Sequence, residues 1–144
     1  MRKPYNYINS NTTIWNNQAE EGGGVYFHNS RGQILNSILW DNLPTQGEIR
    51  STSNLNFLKI AYSQVMDGEY GIETSSNGAV YFYDGIYTDN PQFTSIGSVV
   101  DLTLADGSPC IDAGVTTYNF GEPNIASSFV TDYAGNSPDI GGIE

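Results

Sequence analysis

"NTTIWNN" at residues 11–17 returns as "NSILWDN" at residues 36–42. Both have an apolar centre between asparagines, and 25 residues separate Trp15 from Trp40 and Asn17 from Asn42. A looser copy, "YSQVMDG" (62–68), follows 26 residues on, and "DGIYTDN" (84–90) another 22. A second series runs between them at 24-residue steps: "GGVYF" (23–27), "GEIRS" (47–51) and "GIETS" (71–75). Self-similarity at this period is the mark of stacked supersecondary units. The units are β-rich: "TTIW", "QILNSILW", "FLKIAYSQVM" and "GAVYFYDGIY" are dense in β-branched and aromatic residues. No stretch of useful length carries a helical period.

Stacking makes residues one repeat apart neighbours. Asn suits the corners, because it tolerates the left-handed backbone region and bonds nearby backbone groups. Asn17, Asn42 and Asn90 then form a ladder, broken where Gly68 stands in the third coil. Ile14, Leu39, Val65 and Tyr87 make one column, and Trp15, Trp40, Met66 and Thr88 make the next. Alternation forbids both from facing inward in a regular strand. The sequence leaves open which one does, and whether the other lies under a loop.

The chain carries 5 basic residues against 16 acidic ones, a formal net charge of −11. That argues against nucleic acid and anionic membrane as partners, since both need clustered basic residues. No apolar run is long enough to span a bilayer, so no membrane insertion is expected. Charged residues are only 15% of the chain, and ten Tyr and 16 Gly accompany many Asn, Ser and Thr. This composition fits an extracellular β-rich protein. "MRKPYNYINSNTT" has no apolar stretch after its two basic residues, so an export signal is expected on a longer precursor.

After Asn90 the repeat stops. The strand-like "VVDLTL" (99–104), "GSPCIDAG" (107–114) and the closing "PDIGGIE" (138–144) follow. In this order, "NSILWDN", "AYSQVMDG", "DNPQFTS", "DLTLADGSPCIDAG" and "PDIGGIE" resemble the C-terminal end of secreted bacterial right-handed parallel β-helix proteins of the pectate-lyase-like superfamily. The resemblance covers about residues 32–144, and the "SPCIDAG" and "DIGGIE" pair is its most specific part. It implies an all-β fold, a right-handed parallel β-helix (solenoid) of about four coils over residues 1–98, with residues 99–144 as a C-terminal strand and capping segment of the same domain. Related proteins often carry Cys where this chain has Ser37, so a possible partner of Cys110, the only cysteine, is absent. In the cap, Pro109 and Gly107 are expected to fix a turn. Cys110 and Ile111 would tuck under the last coil, Asp112 would bond backbone donors, and Ala113 and Gly114 would allow close approach. Asp139 belongs to the same structural group.

The resemblance also raises polysaccharide lyase or hydrolase activity. Lyases of this fold need Ca²⁺-binding carboxylates and a basic proton acceptor. The basic candidates are Arg2, Lys3, Arg31, Arg50 and Lys59; two sit at the start of the chain, and neither Arg50 nor Lys59 has a clustered acidic setting. His28 reads as a turn residue, and no zinc cluster or phosphate-binding glycine loop is present. The repeat alignment puts Asn16, Asp41, Asp67 and Asp89 in one column. Carboxylates about 4.8 Å apart repel by roughly 3.5 kcal/mol at an effective dielectric of about 20. Asp41, Asp67 and Asp89 are therefore either solvated turn residues or ligands of a bridging cation such as Ca²⁺. Tyr62, Tyr81, Tyr83 and Tyr87 are candidate carbohydrate-stacking residues, or else packed strand residues.

The expectation is a non-catalytic extracellular or cell-surface module with a structural or adhesive role, binding glycan on one face. The alternatives are a fragment of a polysaccharide-degrading enzyme, or a fibre subunit that binds a second copy of itself through an open coil end.

Overall fold

In the computed structural model, residues 6–53, 56–75, 77–96, 98–121 and 132–141 are described. Each of the first three passes of the chain adds one strand to each of three parallel sheets. The first pass contributes β1 (Asn6–Ser10), β2 (Thr13–Trp15) and β3 (Val25–His28). The second contributes β4 (Arg31–Leu35), β5 (Ile38–Trp40) and β6 (Gly47–Arg50), and the third β7 (Asn56–Ala61), β8 (Ser63–Val65) and β9 (Ile72–Thr74). The fourth contributes β10 (Gly78–Phe82) and β11 (Ile86–Tyr87). Sheet A runs β1-β4-β7-β10, sheet B β2-β5-β8-β11 and sheet C β3-β6-β9. All these pairs are parallel, whereas β12 (Phe93–Ile96) and β13 (Val99–Leu104) form a separate antiparallel pair. The fold is all-β, with stacked parallel strands compatible with a parallel β-helix.

The repeat read from sequence gives the first two steps of register: Trp15 pairs with Trp40, and Leu39 with Val65. It slips at the fourth coil. Phe82 lies beside Ile60, but Ile86 lies beside Ser63, so one extra residue is taken up at the corner between them. Tyr87 therefore faces Gln64 and not Val65. The glycine-led series slips as well: Val25 pairs with Gly47, and Gly47 with Ile72. Glycines mark turns, and turns absorb length differences that paired strands cannot.

The corners explain the asparagines. Asn11, Asn36, Tyr62 and Gly85 all have φ between 43° and 68°, and so do Asn16, Asp41 and Asp67 at the next corner. After the first corner comes a hydroxyl ladder. The Ser37 and Ser63 hydroxyls donate to the carbonyls of Leu35 and Ala61, each 2.8 Å away. They accept the backbone N–H of Thr12 and Ser37 from the coil before, at 3.3 and 3.2 Å. The asparagine ladder exists as one rung: Asn42 is buried, and its Oδ1 accepts from Asn17 N at 3.0 Å and Asn17 Nδ2 at 3.1 Å. Asn42 Nδ2 donates to Ile14 O at 2.8 Å.

The core inside the stack is Phe27, Ile34, Leu39, Ile49, Leu58, Ile60, Val65 and Ile72. Gly32 is required there, because a Cβ would stand 2.4 Å from the Phe27 ring. The inward column is thus Leu39 and Val65. Ile38 and Trp40 face outward and are covered by the C-terminal segment, together with Tyr87, Phe93, Cys110 and Ile140. That segment lies along the side of sheet B and reaches the first coil, where the Trp15 and Phe93 rings meet edge-on at 6.4 Å.

Candidate ligand-binding faces

Alternation along sheet A sends Ile34, Leu58 and Ile60 inward and Arg31, Gln33, Phe57, Lys59 and Tyr81 outward. The outward residues make an aromatic and cationic strip. Phe57 has the Arg31 guanidinium 5.0 Å and the Lys59 ammonium 5.1 Å from its ring centre, and Tyr81 edge-on at 6.1 Å. Lys59 is buried, which is tolerable for an ammonium only where acceptors and ring faces replace water. Its Nζ donates to Phe120 O at 2.9 Å and lies 5.9 Å from the Tyr83 ring centre.

Tyr83 leads to a second aromatic group at the corner. Its ring is 5.5 Å from Phe120 and 6.3 Å from Tyr118, and Tyr118 is 5.5 Å from Tyr62. The Tyr118 hydroxyl donates to Asp84 Oδ2 at 3.2 Å. Desolvation, and then the Asp84 hydrogen bond, push its pKa up. Tyr81 is 50% exposed and Tyr83 38%, so both present ring surface to solvent. The structure brings Tyr62 and Tyr83 together through Tyr118 and puts Tyr81 beside Phe57. Tyr87 stands apart, on sheet B beneath the C-terminal segment. Sequence reading missed Phe57 and weighed Lys59 only as a proton acceptor, although the 22-residue step puts Lys59 directly beside Tyr81. Tyr118 and Phe120 lie outside the repeat and carry no periodic signal.

The acidic column divides. Asp41 and Asp67 occupy equivalent left-handed corner positions and are exposed. Asp41 Oδ2 accepts from Trp15 Nε1 at 3.3 Å. Asp89 falls beyond the slipped, terminated pairing of β11, and its carbonyl accepts from Gln64 Nε2. Among the described residues, no three His, Cys, Asp or Glu side chains gather closely enough to hold a metal ion.

The "GSPCIDAG" stretch and "NSPDIG" (136–141) clamp onto each other and onto the second coil. Asp112 Oδ1 accepts from the backbone N–H groups of Asn136 at 2.7 Å and Ser137 at 3.1 Å, as expected of a carboxylate bonding cap donors. These bonds lower its pKa. Asp139 Oδ1 returns the bond to Asp112 N at 2.8 Å. Ile140 N donates to Cys110 O, and Gly114 N to Pro138 O. A Cβ on Gly114 would meet Pro138 O at 2.7 Å and Asn36 at 3.0 Å. Asn36, fully buried, grips Val115 with both ends of its amide. Pro109 is partly buried in the turn. Cys110 is fully buried, and burial pushes its thiol up to about 11. Ile111, expected under the last coil, is instead 39% exposed, in the turn that follows buried Cys110. Gly142, Ile143 and Glu144 of the closing motif lie outside the described residues, as do Arg2 and Lys3.

On sheet C, Arg50 bridges Glu21 at 2.9 Å and Glu48 at 2.6 Å. The Glu48 hydrogen bond and the charge of Glu21 raise its pKa, so it stays a cation and offers no proton acceptor. His28 is exposed, with a ring nitrogen 3.3 Å from Asn29 Nδ2. No described helix is long and apolar enough to cross a membrane. No family model, curated protein or solved structure significantly matches this chain.

Proposed function

We propose that the chain is part of an extracellular right-handed β-helix protein of the pectate-lyase-like kind. Its role is adhesive, and it binds glycan without turnover along the outer face of sheet A. The observation that carries the reading is the pair of exposed rings, Tyr81 and Tyr83, beside Phe57, Arg31 and Lys59. Ring faces stack on the apolar faces of sugars, while neighbouring polar groups bond their hydroxyls.

The test is isothermal titration with neutral and uronate-containing tetrasaccharides, followed by analysis of the sugars for cleavage. Binding without cleavage, weakened at least tenfold by Tyr81→Ala, is the expected result. Cleavage would favour the enzyme reading, and no binding to any sugar would remove the adhesive one. A fibre reading is favoured by one observation: among the described residues, no strand pairs with the outer edges of β1 and β10. Light scattering over a concentration series tests it, and a stable monomer would exclude it.

A further inference from the structure

Gln33 lies in the middle of the outer face of sheet A, directly beside Lys59 in the strand register and two residues along β4 from Arg31. It is only 4% exposed, yet its Nε2 has no hydrogen-bond partner. A buried N–H left unbonded is costly, and native structures rarely keep one without a use. Its surroundings say what would satisfy it. Nε2 is a donor only, so the missing group is an acceptor. The Arg31 and Lys59 cations sit 5.0 and 5.1 Å from the centre of the same Phe57 ring, and Lys59 is the register neighbour of Gln33. Two of the chain's 5 basic residues thus share this face, in a chain of net charge −11. Phe57 keeps the floor of the site apolar, which strengthens any charge-assisted bond formed over it.

We infer that Gln33, Arg31 and Lys59 form a binding site for an oxyanion, a carboxylate or sulfate group whose oxygen accepts from Gln33 Nε2. That a glycan carries the group rests on the function proposed above; the oxyanion site itself is tested separately.

The experiment follows the ¹⁵N-labelled side-chain amide of Gln33 by NMR during titration at constant ionic strength. The probes are sodium sulfate, sodium glucuronate, a uronate-containing tetrasaccharide and the same tetrasaccharide reduced to its uncharged form. Saturable shifts of the Gln33 amide with sulfate or glucuronate are expected. The charged tetrasaccharide should bind at least tenfold more tightly than the uncharged one. Gln33→Leu, which removes the donor, and Gln33→Glu, which replaces it with a like charge, should each abolish the anion response. Shifts with the free anions but with neither tetrasaccharide would uphold the site and sink the glycan reading. Equal binding of both tetrasaccharides, with no response to the free anions, would uphold the glycan reading and overturn this inference. An undiminished anion response in folded Gln33→Leu would overturn it too.

Discussion

Replacing Asn36 with Ala should detach the C-terminal segment from the stack. Asn36 joins parts of the chain 79 residues apart: its Nδ2 donates to Val115 O at 2.7 Å, and its Oδ1 accepts from Val115 N at 3.0 Å. Its own carbonyl accepts from Gly141 N at 2.9 Å. Two hydrogen bonds are worth about 1 kcal/mol each, and the stranded Val115 groups add about 1–3 kcal/mol. The residue also sits at φ 48°, where Ala costs about 1–2 kcal/mol. Allowing for partial rehydration, Asn36→Ala should lose about 3–5 kcal/mol. Asn36→Gly, free of the backbone penalty, should lose about 1 kcal/mol less. Urea unfolding followed by tryptophan fluorescence measures this, because Trp40 packs under the segment and Trp15 touches Phe93. If the segment peels off first, fluorescence shifts at lower urea than the β-sheet circular dichroism. Losses below about 1 kcal/mol in both variants, or a Gly variant no better than Ala, would refute the reasoning.

Asn42→Ala should cost about 1–3 kcal/mol, since it strands the partly buried Asn17 N–H and Ile14 carbonyl, while Asn17→Ala, at an exposed position, should cost under about 1. Equal losses in urea titrations would dismiss the ladder. The Cys110 thiol keeps its proton in the folded state up to about pH 11, whereas the unfolded thiol loses it near 9. The unfolded state then binds fewer protons, so stability falls between pH 9 and 11, by at most about 2–3 kcal/mol. Cys110→Ala should lack that decline, and native Cys110 should react with a disulfide reagent only after unfolding. Asp112 has the opposite sign. Its lowered pKa gives stability that is present above the ordinary value of 3.8 and lost as pH falls through the folded-state value. Acid titration of Asp112→Asn should show a shallower decline than the parent; an identical curve would mean the carboxylate bonds contribute nothing.

Much of the stack was legible from "NTTIWNN" and "NSILWDN" alone. Parallel stacking puts like residues side by side, so the physical repeat is also a sequence repeat. That is why the Trp15–Trp40 and Leu39–Val65 register and the Asn17–Asn42 rung could be read in advance. The left-handed corners were legible in residue type but not in position: Asn16 and Asp41, one residue before Asn17 and Asn42, take that conformation, and so does Tyr62. The fourth coil was not, since one residue absorbed at a corner moves Tyr87 from the inner column to the outer one. Nor was the direction of the two apolar columns. Both are apolar because one is buried inside the coils and the other beneath a segment with no repeat of its own. The sheet A strip was half visible. Tyr81 and Tyr83 stood out by type, but only the tertiary structure set Gln33, Lys59 and Arg31 on one face and left a buried amide there without its acceptor. Local sequence determines conformation and period; which faces are covered depends on long-range packing that no local pattern records.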